Sequence, residues 1–172
     1  KAVIDHPAVW AFWWPRFERI AAWFIATEAK RAPSLAASYS EIRGEIELPG
    51  LLGPVKLSAI ADRLDRRADG LWTIIDYKTG MVPRQSEVDT GLAPQLPLEA
   101  LILRRGGFGD LPSGETASLD YWRLTGGEPA GEMRAHDQNV DTLVEEAEAG
   151  LRRLIEAFDR QETPYLAVPD PD

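Results

Sequence analysis

The chain contains no cysteine, and only two histidines and two methionines, among 172 residues. Without thiols there is no disulfide framework, so the fold must be held by packing alone, and the absence suits a reducing compartment. The two histidines, His6 and His136, stand apart near expected helix starts with no ligand cluster beside either, which argues against a histidine-built metal centre. There is no run of about 18 apolar residues to span a bilayer. There is also no charged leader followed by an apolar segment and a small-residue cleavage site. A soluble, cytoplasmic protein with no membrane partner is therefore expected. Basic charge is in short supply too: 19 Lys and Arg against 28 Asp and Glu give a net charge of −9. Such a balance does not favour phosphate backbones.

What is present fits one compact α/β domain over residues 1–172, because 44% hydrophobic residues in a chain of this length bury a sizeable core. A helix is expected over residues 7–31, where Trp10, Trp13, Trp14, Phe17, Ile20, Ala21 and Phe24 recur at helical spacing. Core packing accounts for those aromatics better than base stacking, and Pro15 should kink or divide the helix. After a loop over 32–40, three strands near 39–48, 55–66 and 71–77 form a meander, with Pro49-Gly50 and Gly53-Pro54 at its first turn. A loop over 83–91 leads to a helix over 94–105 that stops at Gly106-Gly107. A fourth strand near 117–124 and an amphipathic helix over 137–161 complete the order. The proline-rich tail and the lack of an initiating methionine lead to the expectation of a domain excised from a longer protein.

The chemistry concentrates in one hairpin. Ala61-Asp62-Arg63-Leu64-Asp65 and Ile74-Ile75-Asp76-Tyr77-Lys78-Thr79-Gly80 flank Ala68-Asp69-Gly70, a short loop ending in a glycine free to take φ > 0. If Arg67 pairs with Leu71, antiparallel counting places Asp62 opposite Asp76. Alternation then puts Ile60, Asp62, Leu64, Ile74, Asp76 and Lys78 on one face, with Ile75 and Tyr77 on the other. Opposed carboxylates about 5 Å apart repel unless a cation or shared proton intervenes. Mg²⁺ suits such a pair, since it takes one or two carboxylates and leaves its other positions to water and phosphate. A lysine two residues along can orient the attacking water or neutralise charge on the phosphate. An Asp-x-Lys tripeptide alone is common on solvent-facing strands, but here an apolar run, Leu71 to Ile75, leads straight into Asp76.

These residues resemble the PD-(D/E)xK nuclease superfamily, in particular its RecB-like branch. Gln95, within Gly91-Leu92-Ala93-Pro94-Gln95-Leu96-Pro97-Leu98-Glu99-Ala100, resembles the glutamine helix motif that follows the lysine in RecB and AddB nucleases. With Phe12-Trp13-Trp14-Pro15-Arg16-Phe17 and Thr163-Pro164-Tyr165-Leu166, the similarity is closest to the nuclease domain of AddB-type helicase-nuclease subunits. It covers nearly the whole chain. The resemblance implies a restriction-endonuclease-like αβββαβ core, with a mixed sheet flanked by helices. It makes Asp62 and Asp76 metal ligands, Lys78 the catalytic lysine, the Tyr77 carbonyl a further ligand, and Gln95 a residue that orients the site or contacts DNA. Glu28 and Glu41 are the two candidates for the upstream acidic ligand. Two departures stand out: Glu99 replaces a tyrosine common in relatives, and the cysteines of the iron-sulfur cluster found in many AddB-type nucleases are absent.

The expected activity is Mg²⁺-dependent hydrolysis of single-stranded DNA, with Mn²⁺ able to substitute, during double-strand break repair and recombination. The implied partners are DNA, an AddA-like helicase subunit and the rest of its own polypeptide. Arg63, Arg66, Arg67, Lys78 and Arg84 would supply a basic rim despite the acidic total. The alternative is a catalytically silent DNA-binding or scaffolding module of the same complex, which the net charge favours.

Overall fold

The computed structural model describes residues 7–164, and side chains from residue 10 onward; His6 and the tail motif from Tyr165 lie outside them. The described elements are helix α1 (Pro7–Arg31), strands β1 (Leu35–Leu48), β2 (Val55–Arg67) and β3 (Trp72–Lys78), helices α2 (Gln85–Asp89) and α3 (Gln95–Arg104), strands β4 (Thr116–Leu124) and β5 (Gly131–His136), and helix α4 (Val140–Phe158). A single 3-10 turn (Ala32–Ser34) joins α1 to β1. The strands form one mixed sheet in the order β1-β2-β3-β4-β5. β1, β2 and β3 are an antiparallel meander, β4 runs parallel to β3, and β5 closes the edge antiparallel to β4.

β3 is buried from Trp72 to Asp76, as its continuous apolar run requires, because both faces of the sheet are covered there. α3 and α4 cover one face: Leu96, Leu101, Leu143 and Val144 pack with Leu64, Ile74, Leu119 and Tyr121. α1 covers the other through Trp23 and Phe24, whose rings meet Trp122 edge-on at 5.7 and 5.6 Å. An ion network ties α1 to that face. Arg63 bonds Glu28 (2.8 Å) and Asp65 (2.7 Å), and Arg31 bonds the other Asp65 oxygen at 2.9 Å.

Partway along, β1 and β2 change faces. Tyr39 faces the core, but so does Ile42, and likewise Ala61 and Leu64, so the alternation of β1 and of β2 each slips between those residues. Glu41 sits at the slip with φ of 54°. The expected shared face therefore loses Ile60, which is exposed, and keeps Asp62, which follows Leu64 rather than Ile60.

Four other expectations are corrected. Pro15 does not divide α1, which is one helix from Pro7 to Arg31, and its aromatics from Trp10 to Phe17 are exposed rather than in the core. The connection after α1 is shorter than a loop over 32–40, since β1 begins at Leu35, where pairing with Arg67 extends the ladder. The loop over 83–91 holds the short helix α2. β5 carries no apolar alternation, being an edge strand buried only at its two ends, and so leaves no strand signal in the sequence.

Candidate active site

The hairpin register agrees with the expected one. Arg67 N–H donates to the Leu71 carbonyl at 2.8 Å, Gly70 turns with φ of 87°, and Arg63 pairs with Ile75. One step further along that register, Asp62 lies across from Asp76. The backbone ladder gives way here to a side chain: the Tyr77 amide donates to Asp62 Oδ2 at 2.9 Å. Asp62 is thereby fixed to the backbone between Asp76 and Lys78.

Asp76 is only 3% exposed, and Lys78 Nζ lies 2.9 Å from its Oδ1 and 2.8 Å from its Oδ2. α3 starts above this pair because Gly91, at φ 75°, and Pro94 direct the chain into its first turn. Gln95 in that turn reads both partners: its Nε2 donates to Asp76 Oδ1 at 2.8 Å, and its Oε1 accepts from Lys78 Nζ at 3.5 Å. Asp62, Asp76, Lys78 and Gln95 are thus brought together at the C-terminal end of β3, on the face covered by α3 and α4.

A fifth residue joins them. Glu99, one turn along α3, is 2% exposed and accepts from Gln95 Nε2 at 3.2 Å through Oε1, while its Oε2 has no hydrogen-bond partner. Burial, together with the Asp76 and Asp62 carboxylates, pushes its acid up to about 7, against the lowering effect of Gln95. Tyr121, buried beneath and repelled by Asp76 and Glu99 when ionised, is likewise raised. The i, i+4 spacing from Gln95 is the sequence signal for Glu99.

Of the remaining candidates, Glu28 and the Tyr77 ring lie away from this cluster. Glu28 is on the opposite face of the sheet, held by Arg31 (3.2 Å) and Arg63 (2.8 Å), because α1 packs on the side to which Arg63 and Tyr77 point. The Tyr77 ring is there too, its hydroxyl accepting from Arg63 at 3.3 Å. Glu41 is exposed in β1, opposite Asp62 in the β1–β2 register. The basic rim is also redrawn. Arg63 is buried, and its charge is maintained against desolvation by Glu28, Asp65 and Tyr77. Arg67 pairs with Asp69 at the hairpin tip, and Arg66 is exposed beside it, at the end of β3 remote from Asp76. Arg84 is exposed at the start of α2. Arg123, which lies beside Lys78 in the parallel ladder and donates to the Gly80 carbonyl at 3.1 Å, is a basic residue at the site that no sequence pattern marked.

The PD-(D/E)XK nuclease family model matches residues 3–170. The chain belongs to the PD-(D/E)XK nuclease superfamily. Its mixed sheet flanked by helices is the restriction-endonuclease-like fold of that superfamily. Among curated proteins it is similar to an uncharacterised protein of Rickettsia bellii, 30% identical over 159 residues, covering 85% of this chain and 19% of that protein. It is similar also to one of Rickettsia felis, 30% identical over 168 residues, covering 78% and 20%. The chain spans about a fifth of the length of these relatives. A solved crystal structure, that of SSO0001, aligns with 74% of this chain and 55% of its own at 15% identity and a TM-score of 0.42, too loose a likeness to carry argument.

Nucleases of this superfamily generally use divalent metal ions such as Mg²⁺. Among the described residues, no three His, Cys, Asp or Glu side chains are gathered into a ready metal cage. The donor set nevertheless fits a hard cation that keeps most of its waters, since one or two carboxylates, here Asp62 and Asp76 on neighbouring strands, are the usual protein share for Mg²⁺. Asp76 already holds one cation, the Lys78 amine. No helix among the described residues is long and apolar enough to cross a membrane.

Proposed function

We propose that this chain is a metal-dependent deoxyribonuclease that hydrolyses one strand of DNA, acting on single-stranded ends. In this reading Asp62 and Asp76 hold Mg²⁺ or Mn²⁺, with the Tyr77 carbonyl as a further ligand. The bound ion supplies charge stabilisation at the phosphate and lowers the pKa of water. Lys78, on the same face and partly exposed, positions the attacking water and neutralises charge building on the non-bridging phosphate oxygens. Gln95 fixes Asp76 and Lys78 relative to each other through its two amide ends. Arg123, beside Lys78, and the exposed Arg84 receive the phosphates that flank the scissile one. Glu41 remains the upstream acidic candidate; Glu28 is spent on Arg63.

The observation that carries this reading is the Lys78 Nζ held between Asp76 and Gln95, with Asp62 anchored one strand away. A buried carboxylate joined to lysine and amide, with a second aspartate anchored beside it, is the arrangement that metal-dependent phosphodiester hydrolysis calls for. The resemblance to RecB-like and AddB-type domains, with the greater length of the relatives, supports a role in double-strand break repair and recombination. There the domain would be one part of a longer polypeptide partnered by an AddA-like helicase subunit. The absence of cysteine supports a cluster-free form of such a domain. A catalytically silent module is the second reading, favoured by the net charge of −9.

End-labelled linear and closed circular single-stranded DNA, each with Mg²⁺ and with chelator, test the proposal. Shortening of the linear strand in Mg²⁺ alone is expected, with the circle spared. Cutting of the circle would overturn end dependence. No cleavage, joined to Mg²⁺ or Mn²⁺ binding no stronger than that of an Asp76→Ala variant in calorimetry, would establish the silent module.

A further inference from the structure

The face of α1 that packs on the sheet does not stop where the sheet does. Ile20, Ala21 and Phe24 continue a stripe that begins with Trp10, Trp13, Trp14 and Phe17 at three- and four-residue spacing. Those first four are 45%, 58%, 43% and 57% exposed. Their rings touch along the helix, Trp10 to Trp14 at 4.7 Å and Trp14 to Phe17 at 5.5 Å, and each residue is left roughly half open to solvent. Half-exposed rings of this size leave about 400 Å² of aromatic surface open, within the range of a monomer's largest apolar patch, which is often functional.

We propose that this aromatic half of α1 is a docking face for another apolar segment of the same, longer polypeptide. The inference rests on the reading, given above, that the domain is one part of such a polypeptide. Three observations favour that occupant. The stripe is continuous with the face that α1 buries on the sheet, so the missing cover extends an existing interior. The relatives are about five times as long as the chain, which provides a covalently attached neighbour at high effective concentration. The open area is about half the ~800 Å² per partner of a stable dimer, which disfavours a second copy held by this patch alone.

Single-stranded DNA fits less well. A stacking platform needs free cations along the backbone path. Here Arg16 lies over the rings of Phe12 (4.5 Å) and Trp13 (5.9 Å), Arg19 donates to the Gly126 carbonyl, and Glu18 accepts from the Trp14 indole at 2.9 Å.

The cysteine-free sequence allows a direct test by thiol labelling. Trp13→Cys is compared in the 172-residue chain and in the longer polypeptide that carries it, with the rate at that thiol read by peptide mass. Leu52→Cys, at the exposed β1–β2 tip, serves as an open control, and Val144→Cys, in the core, reports folding in both forms. Labelling at position 13 should be at least about tenfold slower in the longer polypeptide, with equal rates at position 52. Equal rates at position 13 would overturn the proposal. So would concentration-dependent dimerisation of the chain abolished by Trp13→Glu, which would assign the face to a second copy. Quenching of Trp fluorescence by oligo(dT), lost in Trp13→Ala, would overturn it in favour of DNA. None of these readouts requires cleavage, so an inactive nuclease leaves the inference standing. A gene that encodes no longer polypeptide would overturn the reading beneath it, and the inference with it.

Discussion

At the scale of single residues, the site is organised around Gln95, whose amide divides its hydrogen bonds among Asp76, Lys78 and Glu99. Glu99 bears on stability. Its acid rises from an ordinary value of 4.5 to about 7 in the folded chain. Between those values the unfolded chain has released its proton and the folded chain has not, so stability falls as pH rises from about 4.5 to 7 and then levels off. The full effect is on the order of 3 kcal/mol. Glu99→Gln should flatten that fall, leaving the variant more stable than the parent at about pH 8 with chelator present; stability curves in urea that stay parallel for variant and parent across this range would refute it. Asp62, Asp76 and Lys78 were legible in the sequence because strand alternation and a short turn fix a hairpin's register locally. Glu28 was not, because the sheet face that α1 selects is decided by tertiary packing.

Among the elements, β1 and β2 change faces beside Asp62. β1 curls over the segment that follows α3, and Gly44 permits this. A Cβ there would fall 2.5 Å from the Phe108 ring and 2.8 Å from Ile102, while the neighbouring Glu45 N–H bonds the Gly107 carbonyl at 2.9 Å. Gly44→Ala should therefore destabilise the domain by about 1–3 kcal/mol, measured by chemical unfolding; an unchanged midpoint would show that the ring moves freely aside. The apolar periods marked the long helices and the first four strands. They marked neither the slip at Glu41, where the backbone takes a φ of 54°, nor β5, a strand paired along one side and buried only at its ends.

For the molecule as a whole, helical spacing correctly located the aromatic stripe of α1 but not its cover. Periodicity says which side of a helix seeks burial, and the sheet's width decides how much of that side is met within these residues. The acidic total is likewise distributed rather than uniform. Arg123 and Lys78 stand side by side at the C-terminal end of β3, whereas Arg63 and Arg31 are consumed inside by Asp65 and Glu28. The central claim, that this strand end performs phosphodiester hydrolysis, turns on Lys78. Mg²⁺-dependent digestion of end-labelled single-stranded DNA by Lys78→Ala is the most direct test, with far- and near-UV circular dichroism recorded alongside. The expected rate is at least about a hundredfold below the parent, with both spectra unchanged. Undiminished Mg²⁺-dependent digestion by that variant would contradict it.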